Sequence, residues 1–343
     1  MSTATVVGID PHLDTLAAAV IDQTGRVLWE GTMPNTDRGI AELIAVTGEW
    51  APGVWAIEGA GSWGRHLTDR VTANGGQVRE VPTRLTGRLR RREGPGKTDR
   101  ADARSIARAA LHAQLPQPQR HPLTEALRIL TTQRKALIHQ QVQAANRTRA
   151  HLGELNPEHT ATLPRIRGLH IWQQLTCQDL HPTTSPYQQA LVEAIRQDAR
   201  QAIQRHHEIR HLDHQIHRLI PPAGQALMTI TGIGPIGAAT ILAHTGDIRR
   251  FPTHHHYASW CGTAPLDATS GRQQRHRLNR HGNRAVNQTL HTAIITQLAR
   301  NGPAADYITK RLGEGKTKTE AIRAAKRHLT RHIYNTLKCH PLT

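Results

Sequence analysis

The chain has 343 residues, with 44 Lys and Arg against 26 Asp and Glu and a formal net charge of +18, an excess that points to a polyanionic partner, nucleic acid by default. No apolar run is long enough to span a bilayer, and no amphipathic anchor or signal peptide opens the chain, so a membrane partner is set aside and a cytoplasmic place is expected. Cys177, Cys261 and Cys339 are odd in number and far apart, which excludes a disulfide framework and a paired-cysteine zinc site; aromatics are 3% of residues with a single Phe, which leaves a base-stacking platform poorly supplied.

The length allows two ordinary cores and a linker. In chain order, Thr5 to Asp10 is a short β-branched run ending in an acid, Leu16 to Ile21 is a second apolar run closed by the turn Asp22-Gln23-Thr24-Gly25, and Val27 to Trp29 is a third strand. Thr36 to Trp50 places Ile40, Leu43, Ile44 and Thr47 at helical spacing. Val54 to Glu58 is a buried-type strand that again ends in an acid. A helix from about Ser62 to Ala73 and a strand from Gln77 to Val81 follow.

A basic loop with Arg88, Arg90, Arg91, Arg92 and Lys97 then leads into a helix that opens with Asp99 and Asp102. Their spacing of three puts both carboxylates on one helix face, and two like charges so close call for a cation, with Mg²⁺ the usual one. Gly96-Lys97-Thr98 imitates the end of a P-loop, but Arg91 stands where the first glycine belongs and no strand leads in. Three consecutive strands, then alternating helix and strand, with acids ending the first and fourth strands, is the order of the ribonuclease-H-like fold. Neighbouring strand ends then bring Asp10 and Glu58 together and the closing helix supplies Asp99 and Asp102. Each acid alone is also what a turn or a helix cap would carry.

From about Leu123 to Leu152 and from about Tyr187 to Leu219 the pattern is fully helical, with a Pro-bearing insert, Asn156 to Pro186, between the two. This reads as a helical hairpin or coiled coil, both spacer and oligomer contact. His207, His211 and His214 share a helix face and His254, His255 and His256 stand in a row, but no fourth ligand at a recognised spacing makes a zinc site of them.

After Pro221-Pro222, the segment Ile230 to Leu242 resembles a helix-hairpin-helix element, in which Gly232 and Gly234 let the backbone approach a phosphate; an ordinary glycine turn between helices is the alternative. Downstream, Ser270-Gly271 is followed by Arg272, Arg275, Arg277, Arg280, Asn283 and Arg284. A serine among arginines that can hold a scissile phosphate is a candidate nucleophile, as well as an ordinary turn residue. Helices from Arg284 to Arg300 and from Lys316 to Leu337 close the chain.

The series Gly8-Ile9-Asp10, Glu58, Lys97-Thr98-Asp99-Arg100-Ala101-Asp102-Ala103, Gly232-Ile233-Gly234-Pro235, Gly246-Asp247-Ile248, Arg250-Phe251, Gly262-Thr263-Ala264-Pro265, Ser270-Gly271 and His281-Gly282-Asn283 resembles the IS-one-ten (IS110) family of insertion-sequence transposases over nearly the whole chain. Pro11-His12-Leu13-Asp14 and Arg280-His281-Gly282-Asn283 depart from the residues that many relatives carry there. The resemblance implies an α/β plus α chain: a RuvC-like DEDD domain over 1–118, a helical coiled-coil linker over 119–222, and a mainly helical transposase domain over 223–343. It implies Mg²⁺ or Mn²⁺ held by Asp10, Glu58, Asp99 and Asp102, and Ser270 attacking DNA to form a covalent phosphoserine link. It also implies an element-encoded bridge RNA that pairs with donor and target DNA, a dimer or tetramer joining the acidic site of one subunit to the serine of another, and work at the nucleoid. Two other readings of the residues stand beside it: a Mg²⁺-dependent junction-resolving nuclease that hydrolyses DNA with the four acids, and a non-catalytic nucleic-acid-binding protein.

Overall fold

The computed structural model describes residues 5–82, 85, 98–113, 115–118, 121–162, 166–178, 180, 185–267, 276–277 and 282–342, in two units, 1–120 and 121–343. The first is an α/β unit. Strands β1 (Val6–Pro11), β2 (Thr15–Ile21), β3 (Val27–Pro34), β4 (Val54–Glu58) and β5 (Val78–Val81) form one sheet in the order β3-β2-β1-β4-β5. The first three pair antiparallel, whereas β1 pairs with β4 and β4 with β5 in parallel. The five strands are those read from the sequence, in the same chain order. β3 runs five residues beyond the predicted Trp29 because β2 supplies a ladder partner as far as Thr15↔Pro34, a long-range pairing that outweighs the weak strand preference of Gly31.

Helices α1 (Asp37–Gly48) and α2 (Arg65–Ala73) cover one face of the sheet, where Ile40, Leu43, Leu67 and Val71 meet Val7, Ile9, Leu16 and Ile57. Helix α3 (Asp99–His112) covers the other, with Ile106, Ala107 and Ala109 against Val6, Ile21, Ala56 and Val81. Every residue of β1 is buried, which is why its sequence is a continuous apolar run rather than an alternating one. The alternation of side chains still decides which layer each residue meets: Val7 and Ile9 face α1 and α2, while Gly8 and Asp10 face α3. Gly8 is the close approach that seats α3. A Cβ on it would stand 2.3 Å from Ala103 O and 2.4 Å from Ala107 N.

The second unit is helical. Helix α4 (Pro122–Leu155) and, after α5 (Pro157–Thr162) and α6 (Leu169–Cys177), helix α7 (Pro186–Arg218) form a long antiparallel pair. Its rungs are polar as well as apolar: Arg134 pairs with Asp213, Gln141 Nε2 donates to Ala202 O at 3.4 Å, and Arg147 Nη2 donates to Asp198 Oδ1 at 2.6 Å. Asp198 is buried, so the guanidinium of Arg147 offsets a carboxylate that would otherwise be costly to desolvate. Trp172 and Leu175 of α6 close one end of the pair against Leu152 and Ile195.

At its other end Leu127 and Ile216 enter the core of the remaining helices. These are α8 (Pro222–Met228), α9 (Pro235–Thr245), α10 (His254–Trp260), α11 (Arg284–Ala299), α12 (Pro303–Gly313) and α13 (Lys318–Cys339). One end of the long pair therefore packs into the core of the C-terminal helices, while Ala144, Leu152, Ile195, Ala199 and Ala202 belong to a second core with Trp172 and Leu175. A two-stranded ribbon, β6 (Leu266–Asp267) with β7 (His276–Arg277), lies between α10 and α11 in the chain.

Candidate active site

Parallel pairing of β1 with β4 sets Ile9 opposite Ile57, so Asp10 and Glu58 follow side by side at the carboxyl ends of neighbouring strands and on the face that meets α3. Helix α3 begins there. Thr98 is its N-cap in extended conformation, its hydroxyl accepting from Ala101 N at 3.2 Å. Asp99 and Asp102 occupy the first turn, where the free N–H groups also favour negative charge. Arg104 ties the same helix to the sheet edge through Glu30 Oε2 at 2.7 Å.

Asp10 and Asp102 are buried, at 8% and 5% exposure, whereas the Asp99 side chain is 58% exposed. His12, which the sequence does not place among the metal-binding residues, stands with them. Its Nε2 lies 3.5 Å from Asp10 Oδ2 and 3.5 Å from Asp99 Oδ1, and one donor atom from each of the three residues falls within 4.8 Å of the other two. Among the described residues this is the one group of His, Cys, Asp and Glu with the spacing to hold a metal ion. The signal was present in Asp10-Pro11-His12, since residues two apart in an extended chain share a face. Glu58 and Asp102 are not members of that group; they flank it, on the neighbouring strand end and one helical turn along.

In the second unit, Gly232 has φ +88° and its missing side chain leaves room for Ala293, whose O would be 2.6 Å from a Cβ. Internal packing thus accounts for this glycine. Gly234 is the N-cap of α9 without a side-chain cap bond, and a Cβ there would meet nothing within 4 Å. Asn283 caps α11, accepting from Val286 N at 3.0 Å, and Arg284 is exposed at the start of that helix. Arg277 falls on β7. Ser270, Arg272, Arg275 and Arg280, like Arg88, Arg90, Arg91, Arg92 and Lys97, lie outside the described residues.

A polar cluster fixes the chain on either side of residues 266–281. Asn287 Nδ2 donates to Cys261 O at 2.7 Å and Gly262 O at 3.3 Å, and its Oδ1 accepts from Lys326 Nζ at 2.5 Å. Thr263 and Thr330 hydroxyls meet at 3.0 Å, and Asn283 N donates to Trp260 O at 2.7 Å. Lys326 is buried, which lowers its pKa. Asn287→Ala is expected to cost about 3 kcal/mol, because it strands a buried ammonium and a buried carbonyl together; urea denaturation of the full chain measures it. Burial also pushes the Cys261 thiol up to about 12, which disfavours the thiolate.

Two family profiles match the chain. The DEDD transposase profile of IS110 elements, described as "Transposase", matches residues 7–157, and "Transposase IS116/IS110/IS902 family" matches residues 224–309. Together they take in both units. The chain belongs to the IS110 family of transposases.

The transposase is 26% identical over 360 residues to "Insertion element IS116 uncharacterized 44.8 kDa protein" of Streptomyces clavuligerus, covering 92% of this chain and 90% of that one. It is 25% identical to "Insertion element IS110 uncharacterized 43.6 kDa protein" of Streptomyces coelicolor, over 67% of each. Among solved structures, Thermus thermophilus RuvC in complex with a Holliday junction substrate is 17% identical, with a TM-score of 0.26 over 32% of this chain and 94% of that one. A transposase has DNA as partner. No helix of the described residues is long and apolar enough to cross a membrane. The donor set suits a divalent cation: carboxylate oxygens are hard ligands for Mg²⁺ or Mn²⁺, and Asp10 and Asp99 already converge on a common neighbour.

Proposed function

We propose that the transposase cuts and rejoins DNA through a covalent serine intermediate. Asp10, Glu58, Asp99 and Asp102 hold Mg²⁺ or Mn²⁺, and Ser270 is the nucleophile. In the cleavage step the Ser270 Oγ–phosphorus bond forms as the phosphorus bond to the departing nucleoside oxygen breaks, and the serine proton passes to that oxygen. Attack by a free DNA hydroxyl on the phosphoserine reverses the step and joins a new strand. A bound cation supplies charge neutralisation for the scissile phosphate. To Arg272, Arg275, Arg277, Arg280 and Arg284 we assign the scissile phosphate, which guanidinium groups suit, and to Arg88, Arg90, Arg91, Arg92 and Lys97 the nucleic-acid backbone.

The observation that carries the acidic half is the convergence of Asp10 and Asp99, 89 positions apart in sequence, on His12. The net charge of +18 suits polyanionic partners, and beside DNA we assign to the protein an element-encoded bridge RNA that pairs with donor and target DNA. Sequence readout by pairing leaves the protein to grip backbone and shape. A dimer or tetramer, with the α4 and α7 pair as coiled-coil contact, brings the acidic site of one subunit to Ser270 of another, at the nucleoid. In a reaction containing donor DNA, target DNA and the element's RNA, Ser270→Ala is expected to abolish recombinant product while RNA and DNA binding persist. Retained recombination removes Ser270 from the mechanism. Nicked products that do not depend on Ser270 identify a hydrolytic nuclease instead.

A further inference from the structure

His12 follows directly on β1, and its position is built rather than incidental. Its backbone N–H donates to Thr15 O at 2.8 Å, and its carbonyl accepts from Asn35 Nδ2 at 2.8 Å, so both main-chain groups are fixed. Asn35 N in turn donates to Asp14 O at 2.8 Å, closing the turn between β1 and β2 around the histidine. The side chain is 47% exposed, open to a substrate arriving at the strand ends. Its Nε2 is equidistant, at 3.5 Å, from one oxygen of Asp10 and one of Asp99. Donors held at about 2.1 Å around one octahedral ion stand about 3 Å apart at neighbouring corners and about 4 Å apart across it. The observed triangle, with all three atoms within 4.8 Å of one another, therefore closes on an ion by side-chain adjustment alone. The alternative role for His12 is a polar neighbour of both acids with no bond to the ion.

We propose that His12 is a direct ligand of the divalent cation, together with Asp10 and Asp99, and that it biases the site toward Mn²⁺ over Mg²⁺. The inference rests on the metal-binding reading of the acids. Its chemistry is that of the donor atom: Mg²⁺ is a hard ion that takes oxygen and keeps its waters, whereas imidazole nitrogen suits first-row transition ions. An all-carboxylate centre has no such nitrogen, so its loss should be felt mainly by Mn²⁺.

The test uses the full-length protein and Mn²⁺ itself. Free Mn²⁺ is followed by its EPR signal during titration, Mg²⁺ affinity is taken from competition, and pulsed EPR reports whether a ¹⁴N nucleus is coordinated to the bound ion. With 24 histidines in the chain, a nitrogen signal counts only if His12→Ala removes it. We expect ¹⁴N coupling in the wild type, its loss in His12→Ala, and Mn²⁺ binding weakened at least about tenfold with Mg²⁺ affinity changed far less. Bound Mn²⁺ without nitrogen coupling, or with coupling that survives His12→Ala, overturns the role of His12 and leaves the acidic metal site standing. Should the wild type bind no Mn²⁺ that Asp99→Asn removes, the metal reading fails and this inference with it. His12 is half exposed and its backbone bonds do not involve the imidazole, so the alanine variant folds as the wild type does.

Discussion

Gly8→Ala is expected to destabilise the first unit by about 3 kcal/mol and to slow DNA strand cleavage about a hundredfold or more. The added methyl would lie 2.3 Å from Ala103 O and 2.4 Å from Ala107 N, both backbone atoms of α3 that no rotamer change can move aside. Helix α3 has to lift from the sheet. Asp99 and Asp102 then move with it, away from Asp10 and Glu58, and a displacement of about 1 Å is enough to lose about two orders of magnitude in rate. Urea denaturation and hydrogen exchange of the α3 amides read the first effect, and a cleavage assay reads the second. Gly48→Ala, at a helical position with nothing within 4 Å, is the control and should leave the protein as stable as the wild type or up to about 1 kcal/mol more stable. Wild-type behaviour of Gly8→Ala would mean that α3 does not pack on β1.

The second large effect separates chemistry from folding. Asp10→Asn and Asp99→Asn should each slow strand cleavage by about a thousandfold, the scale seen when one electrostatic contact to a transition state is removed. Asparagine keeps the shape of the side chain and removes the charge that a cation needs. DNA binding, carried by the basic residues, should persist. Asp99 is largely exposed at the start of α3, so its replacement should cost no more than about 1 kcal/mol of helix-dipole interaction. Glu58→Gln and Asp102→Asn extend the series; full cleavage by either variant would remove that residue from the site.

Much of this arrangement was legible in the sequence because local rules and the global fold agree there. Val54–Glu58 is the predicted strand to the residue, and the Thr98 cap starts α3 where Asp99 and Asp102 were expected to open a helix. Acids at strand ends need only the strand periodicity and a parallel register to come together. His12 joins the acids through the extended backbone of Asp10-Pro11-His12, which carries residues two apart onto one face, and through a helix 87 positions on that brings Asp99 to it. The fold also contains helices that periodicity did not disclose. His254–Trp260 and Leu169–Cys177 are short, and they are held by what they pack on: Tyr257 in the C-terminal core, Trp172 and Leu175 against the long helical pair. Seven or nine residues carry too few turns for a hydrophobic stripe to stand out.

Gly232 teaches the converse lesson. Its sequence context suggested a backbone that approaches a phosphate, and the structure gives it a left-handed φ with Ala293 packed against it. Glycine marks close approach in both readings, and the sequence does not say to what. The cluster around Asn287 and Lys326 was likewise invisible, since its partners lie 26 and 39 positions apart.

The most direct test of a serine-linked reaction is recovery of DNA-bound protein. The full-length transposase would be incubated with element-end DNA, the element's RNA and Mg²⁺, denatured, and the linked peptide mapped for wild type, Ser270→Ala and Asp99→Asn. The account predicts an adduct on the peptide containing Ser270 in the wild type and none in either variant. Recombinant DNA formed without any adduct, or an adduct at another residue that Ser270→Ala leaves intact, would contradict it.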